Sequence, residues 1–377
     1  MIYFDNAATG GFKPHSVTDT VNTVTKYLSA NPGRSGHRLS LTGAEILSDT
    51  RALFSNTFGC DSDRVVFTKN CTESLNYAIF GTIQEGGHVI TTAYEHNSVL
   101  RPLHVLENHG IISLDVVYPS TQKRLTDCIE EKINDKTYLI ITTACSNVTG
   151  EILPVEDIGL LCKKRNLLYI VDGAQAGGHV NLNLKLHNIS ALCLAGHKGL
   201  YGIMGSGVLL FSDDVEIKPM LFGGTGTESF NLFSPSTYPE KLEAGTVNLP
   251  AVASLKEGLN YVMKNFGNFS NYLLNATTKL IEQLKEISGI NIFSAPNPCG
   301  IVSFSIDGIS SGEVADILNK DYDIAVRSGF HCAPLMHKFL KTEDDGLVRV
   351  SLAPFNSIRE INYFVGCIKS LVQLRFS

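Results

Sequence analysis

Short runs rich in Val, Ile and Leu recur at residues 64–68, 88–92, 113–118, 138–143, 167–172, 191–195 and 207–211. Helix-patterned stretches, clearest at 72–80 and 155–165, separate several of them. This alternation constrains the chain more than any other feature. Strands apolar on both faces must be covered on both sides, which predicts an α/β fold with a largely parallel sheet. In such folds ligand-binding residues gather beyond the carboxyl ends of the strands. Near residue 250 the texture changes. Helical patterns at 251–264 and 269–287 precede strand-like 301–306, a helix at 311–319, strand-like 348–352 and a terminal helix from about 358, the signature of a smaller α+β domain. Between the two parts, residues 223–243 are rich in Gly, Ser, Thr and Pro and read as a mobile or interface loop.

Composition narrows the function. The chain has 377 residues, 44% hydrophobic and 18% charged, so it can bury a large core and is not a disordered chain. Its net charge is -6 with no long charged block, which argues against nucleic acid and anionic membrane as partners. No apolar run approaches the ~18 residues of a membrane span. Met1 leads almost at once into Asp5-Asn6-Ala7-Ala8-Thr9, without a basic start or apolar signal core, and a cytoplasmic location is expected. Nine scattered cysteines with no Cys-x-x-Cys pair fit reduced thiols rather than disulfides or a structural zinc site. Eight of them read as buried core residues.

The chemistry lies at predicted strand ends. Asp172 ends the run LLYIVD, Gln175 follows it, and the next strand leads into Gly196-His197-Lys198. An acid and a lysine so placed suit pyridoxal 5'-phosphate: the amine forms a Schiff base with the aldehyde, and the carboxylate keeps the ring nitrogen protonated. The bland alternative is a surface lysine and a solvated acid. Asn70-Cys71-Thr72-Glu73 lies between strand and helix, where free backbone N–H groups attract an anion or simply donate to an ordinary N-cap side chain. His96 follows another strand and reads either as a lid on a planar cofactor or as a hydrogen-bonded loop histidine. Cys332 sits in Arg327-Ser328-Gly329-Phe330-His331-Cys332-Ala333-Pro334, where Arg and His favour a thiolate. Zinc on His331, Cys332 and His337 lacks a fourth ligand, so no metal site is expected. Arg349, in an apolar strand, needs a partner: a substrate carboxylate or an internal acid.

Taken together, Asp5–Thr9, Cys71-Thr72-Glu73, Glu95-His96-Asn97, Ser146-Asn147-Val148-Thr149-Gly150, Asp172-Gly173-Ala174-Gln175, Gly196-His197-Lys198, Glu243-Ala244-Gly245-Thr246, Arg327–Cys332 and Arg349 resemble the cysteine desulfurase and selenocysteine lyase family of class V aminotransferase-fold, PLP-dependent proteins. The resemblance implies the aspartate aminotransferase-like fold, a mostly parallel seven-stranded sheet in a large domain (15–250) and a small α+β domain (1–14 with 251–377). It implies that Lys198 carries the cofactor, Asp172 pairs with its ring nitrogen, Gln175 touches its phenolic oxygen and His96 stacks on it and moves protons. Thr72, His197 and the backbone near Cys71 would hold the phosphate. Thr246 would reach the phosphate of a second subunit, implying a homodimer.

Asn147 and Arg349 would bind the substrate carboxylate, and Cys332 would take sulfur from L-cysteine as a persulfide, leaving L-alanine. The short loop 328–334 resembles the branch whose nucleophile sits on a compact segment, so a dedicated protein sulfur acceptor is expected. Where many relatives have Ser or Thr the chain has Ala195, losing one phosphate hydrogen bond unless Thr225 or Thr227 compensates. Phe330 replaces a second His found in some relatives. Selenocysteine lyase, acting on L-selenocysteine, is the alternative activity; a non-catalytic sulfur-binding protein of the same fold is the alternative class.

Overall fold

A computed structural model describes residues 1–376, with side chains to Gln373. Its strands are β1 (Ile2–Tyr3), β2 (Val65–Thr68), β3 (Gly87–Thr92), β4 (Ile112–Val117), β5 (Thr137–Thr143), β6 (Leu168–Asp172), β7 (Ala191–Ala195), β8 (Gly207–Phe211), β9 (Ile290–Ile292), β10 (Ile301–Ile306), β11 (Ile324–Ala325) and β12 (Val348–Ser351). Seven form one sheet in the order β2-β8-β7-β6-β5-β3-β4. Only β8 runs antiparallel to its neighbours, so the expected seven-stranded, mostly parallel sheet is present. Because β8 opposes both β2 and β7, β2 points the same way as the rest. The segments after β2, β3, β5, β6 and β7 therefore emerge along one edge of the sheet.

The strands are buried on both faces: every residue of β3, β5, β7 and β8 lies below the surface. Helices Cys71–Gly81 and Asn97–Asn108 line one apolar layer with Leu75, Ile79, Val99 and Leu103. A second layer on the other face contains Phe54, Ile158 and Leu161, from helices Arg38–Phe58 and Val155–Arg165. A separate core surrounds the three-stranded antiparallel sheet β12-β10-β9, with Phe304, Leu318, Val350 and Phe364. Phe4 belongs to this core, and β1 pairs in parallel with β11, so the first residues pack with the last third of the chain.

Two expectations need correction. The helical patterns at 251–264 and 269–287 are one 37-residue helix, Leu249–Lys285, capped at Asn248, whose side chain accepts from the Ala251 amide. Gly267 inside it costs ~1 kcal/mol of helix propensity. Burial outweighs that cost, with Leu255 and Leu259 in the large core and Leu273, Leu280 and Leu284 in the small one. Of the eight cysteines expected in the core, Cys128 is only half-buried; the other seven are buried. The Gly-Ser-Thr-Pro stretch 223–243 forms no helix or strand, and Phe222, Phe230, Leu232 and Phe233 in and beside it are exposed.

Candidate active site

Asp172 is the last residue of β6, only 3% exposed. Its Oδ1 accepts from the Ala174 amide at 2.8 Å and from the Cys71 thiol at 3.5 Å. One strand over, β7 ends at Ala195 and a tight turn delivers His197 and Lys198 to the same pocket. The His197 carbonyl, just before Lys198, accepts from the Gly10 amide (2.9 Å), Lys13 Nζ (3.1 Å) and Thr9 Oγ1 (3.3 Å). Three donors on one carbonyl fix the turn that carries the lysine. Burial lowers the proton affinity of Lys198, helped by Arg349 and Arg327 and opposed by Asp172 and Cys71. A lysine biased towards the free amine is the form that condenses with an aldehyde.

The corner expected to take an anion lies after β2. Asn70 caps helix Cys71–Gly81, its side chain accepting from the Glu73 amide at 2.9 Å. Asn70 packs against Gly207 so closely that a Cβ there would meet its carbonyl carbon at 2.5 Å, so glycine is needed at the start of β8. Thr72 Oγ1 and Ser98 Oγ stand 2.8 Å apart, and Ser98 Oγ is 2.9 Å from His96 Nδ1. His96 in turn caps helix Asn97–Asn108, accepting from the Ser98 amide. Burial first, with Lys198 and nearby arginines adding, pushes His96 from 6.5 down to about 4 although Asp172 opposes the shift. Burial and Lys198 do the same to His197, also to about 4. Both imidazoles are neutral at neutral pH.

Cys71, Thr72, His96, Asn147, Asp172, Gln175, His197 and Lys198 all line this one pocket. Three predicted residues, Thr246, Arg349 and Cys332, do not. Thr246 is exposed and lines a separate cavity with Phe67, Tyr77 and Glu243. Arg349, 1% exposed, lies in β12, where Nη1 donates to the Asn147 carbonyl (3.0 Å) and Nη2 to Asp5 (3.1 Å), leaving Nε without a partner. The structural alternative for Arg349, an internal acid, is thus present as Asp5. Gln175 Nε2 donates to the Ala7 carbonyl at 3.0 Å. Thr225 Oγ1 and Thr227 Oγ1 stand 3.3 Å apart on the exposed loop and are not among the residues lining this pocket.

Cys332 is exposed and sits at φ 59°, after His331 at φ 49°. Two successive left-handed non-glycine residues store strain of ~1–3 kcal/mol each, which only surrounding contacts can hold. Those contacts are specific. The Asn97 amide donates to the Cys332 carbonyl at 2.7 Å and Asn147 Nδ2 to the His331 carbonyl at 2.7 Å. Gly329 and Leu347 exchange backbone hydrogen bonds, and a Cβ on Gly346 would strike the Gly329 backbone at 2.5 Å. Arg327 Nη2 lies 4.0 Å from the Cys332 sulfur. The loop is therefore tied to the pocket through Asn97 and Asn147, next to His96 and on the pocket wall respectively. Among the described residues, no group of three or more His, Cys, Asp or Glu could hold a metal ion.

Reading by residue type missed the supporting contacts: Ser98 between His96 and Thr72, Thr9 and Lys13 on the His197 carbonyl, and Asp5 on Arg349. Each lies within or beside a quoted motif, but nothing in the sequence says which side chain it meets. The pocket's donor set fits pyridoxal phosphate: a buried lysine of lowered proton affinity, a buried strand-end carboxylate, a neutral histidine and a helix N-terminus flanked by hydroxyls.

Comparison with known proteins agrees with this geometry. Residues 2–364 match the model of the aminotransferase class-V family. A probable cysteine desulfurase of Pyrococcus abyssi is 31% identical, covering 99% of this chain and 94% of the relative. One from Methanothermobacter thermautotrophicus is 32% identical over 96% and 92%. The apo structure of a cysteine desulfurase from Thermococcus onnurineus NA1 superposes with a TM-score of 0.92 at 32% identity, covering 99% of this chain and 94% of that one. The chain belongs to the aminotransferase class-V family and, within it, to the cysteine desulfurases.

Proposed function

We propose that this protein uses pyridoxal 5'-phosphate to convert L-cysteine to L-alanine while Cys332 takes up the sulfur as a persulfide. The observation that carries the reading is the strained, exposed Cys332 docked through Asn97 and Asn147 onto the wall of the Lys198 pocket. Lys198 would hold the cofactor, Asp172 its ring nitrogen, Gln175 its phenolic oxygen, and Thr72, His197 and the backbone near Cys71 its phosphate. When bound, the cofactor draws electrons from the substrate Cα and so weakens its C–H bond.

The chain's own residues do the rest. Arg349, with Nε unused, and Asn147 orient the substrate carboxylate. Neutral His96 covers the site and accepts or returns a proton at an imidazole nitrogen. The Lys198 amine carries the proton between substrate carbons. Arg327 places a positive charge 4.0 Å from the Cys332 sulfur. The Cys332 sulfur forms an S–S bond as the substrate's Cβ–S bond breaks; Cβ takes a proton, and L-alanine leaves.

The reading extends to two domains (15–250; 1–14 with 251–377), a cytoplasmic homodimer in which Thr246 reaches the partner's site, and a protein acceptor that removes sulfur from Cys332. The exposed aromatic residues at 222–233 support a subunit contact, and the fixed Cys332 loop supports the need for an acceptor. Incubating the cofactor-loaded protein with L-cysteine tests the core reading. It expects equal yields of alanine and of one sulfur atom added at Cys332, and neither with Lys198→Ala. Alanine without Cys332 modification refutes it, and Cys332→Ala that still acts on L-selenocysteine but not L-cysteine identifies the lyase alternative.

A further inference from the structure

Glu95 is fully buried two residues before the helix that begins at Asn97. One carboxyl oxygen, Oε1, accepts from Thr92 Oγ1 at 2.5 Å and from the Thr143 amide at 3.0 Å; the other, Oε2, has no partner. Thr92 ends β3 and Thr143 ends β5, so this carboxyl joins the carboxyl ends of two adjacent strands. Thr143 Oγ1 continues the link to the Asp172 carbonyl at 3.3 Å. On the other side, the residues flanking Glu95 reach the working parts of the molecule. Tyr94 packs with Ala333 and Met336 beside the Cys332 loop, His96 faces the pocket, and the Asn97 amide holds the Cys332 carbonyl. Segment 94–97 thus touches both pocket and nucleophile loop, and the Glu95 carboxyl ties it to the ends of β3 and β5.

We propose that Glu95 is a positioning residue: held as a neutral carboxylic acid, it sets His96 against Asp172 and holds the Cys332 loop in register through Asn97. The environment favours the neutral form. The titratable groups facing the carboxyl are Asp172 and Tyr169 on β6, and neither supplies a positive charge. Thr92 and Thr143 are neutral donors that satisfy one oxygen as they would a carbonyl, leaving Oε2 to carry the proton. Burial and Asp172 hold the acid up near about 8 despite those two hydrogen bonds. An ionised carboxylate there would be a buried charge with one oxygen unpaired, beside the acid that the site needs charged.

The positioning claim stands on the fold alone; only its effect on turnover rests on the desulfurase reading. Glu95→Gln keeps the shape and neutrality, while Glu95→Leu removes the acceptor for Thr143. Three measurements on the full chain separate them: alkylation of Cys332 by iodoacetamide, melting temperature against pH, and kcat and KM for alanine formation. Glu95→Gln is expected to keep the wild-type alkylation rate and to lose the wild type's decline in melting temperature on approach to pH about 8. Glu95→Leu is expected to change the alkylation rate and lower kcat, each by about tenfold, with KM nearly unchanged. Wild-type alkylation and kcat in Glu95→Leu overturn the positioning role. An unchanged decline between pH 4.5 and about 8 in Glu95→Gln overturns the neutral form. Should Glu95→Leu not fold, altered alkylation in Glu95→Gln overturns the proposal and retained alkylation with a lost decline upholds it. Absence of alanine from every form, with the alkylation and melting differences present, refutes the desulfurase reading and leaves this one standing.

Discussion

The guanidinium of Arg349 donates to the Asp5 carboxylate at 3.1 Å, joining residues 344 positions apart in sequence. Its other amino group holds the Asn147 carbonyl, so one side chain ties β12 both to the N-terminal segment and to the loop after β5. Arg349 is 1% exposed, whereas the Asp5 side chain is 23% exposed. Loss of either partner therefore has unequal consequences. Asp5→Ala strands a buried cation and is expected to cost about 3 kcal/mol, the lower end for a broken buried pair. Arg349→Met leaves an acid that water can reach and is expected to cost less. In turnover, Arg349→Lys should raise KM for L-cysteine at least about tenfold, because a point charge cannot replace the fork that grips a carboxylate. Urea titrations of both variants and steady-state alanine assays check these outcomes; equal destabilisation by the two would contradict the asymmetry.

Acid sensitivity is expected from a buried histidine next to Cys332. His331 is 2% exposed, and both its ring nitrogens lack partners. Burial, with Arg349, His337 and Arg327, drives it from 6.5 down to about 2. The unfolded chain takes up this proton below about 6.5 and the folded one does not, so the contribution to stability is intact above that pH and is lost progressively towards about 2. Between pH 6.5 and about 5 the loss is about 2 kcal/mol, at roughly 1.4 kcal/mol per unit. His331→Gln should flatten that limb of the stability-pH curve in denaturation experiments. A limb as steep as the wild type's would assign the acid sensitivity to other groups, His96 and His197 among them.

The strands of the large sheet were legible because each is an apolar run framed by polar turns; β7 (Ala191–Ala195) and β8 (Gly207–Phe211) fall where the runs do. Helices His15–Tyr27 and Arg38–Phe58 escaped notice because their polar faces dilute the pattern: only Val17 and Val24 of the first are buried. The two-residue strands β1 and β11 exist only through each other, and nothing local marks them. The same division holds at the site. Asp172 and Lys198 announce themselves at strand ends. Asp5 on Arg349, or Glu95 on Thr143, are contacts made by topology, which spacing along the chain does not encode.

Ala195 lines the pocket at the end of β7. A serine there would add a hydroxyl beside the anion-binding corner without filling much space. A hydrogen bond to a charged group is worth ~1.5–3 kcal/mol. Ala195→Ser is therefore expected to tighten retention of pyridoxal phosphate about tenfold or more, read from the loss of its visible absorbance during dialysis. Faster loss than in the wild type would mean the added hydroxyl displaces the ligand instead of holding it.

The loop that carries Thr246 is held by a second buried ion pair. Arg51 grips Glu243 with both amino groups, at 2.9 and 2.6 Å, and Glu243 also accepts from the Phe67 amide at 2.7 Å. The side chains are only 12% and 8% exposed, and the guanidinium lies over the Phe67 ring. This clamp fastens the end of the irregular 212–248 stretch to β2, the edge strand of the large sheet. Glu243→Ala leaves Arg51 buried without its counter-ion and the Phe67 amide without its side-chain acceptor, a cost of about 3–5 kcal/mol. The double variant Arg51→Met with Glu243→Leu replaces the pair by apolar groups and should recover more than half of that loss in urea titrations. If the loop also forms the subunit contact, Glu243→Ala shifts sedimentation towards monomer and the double variant shifts it less. A double variant no more stable than Glu243→Ala would show that the cost comes from lost shape and not from an abandoned charge.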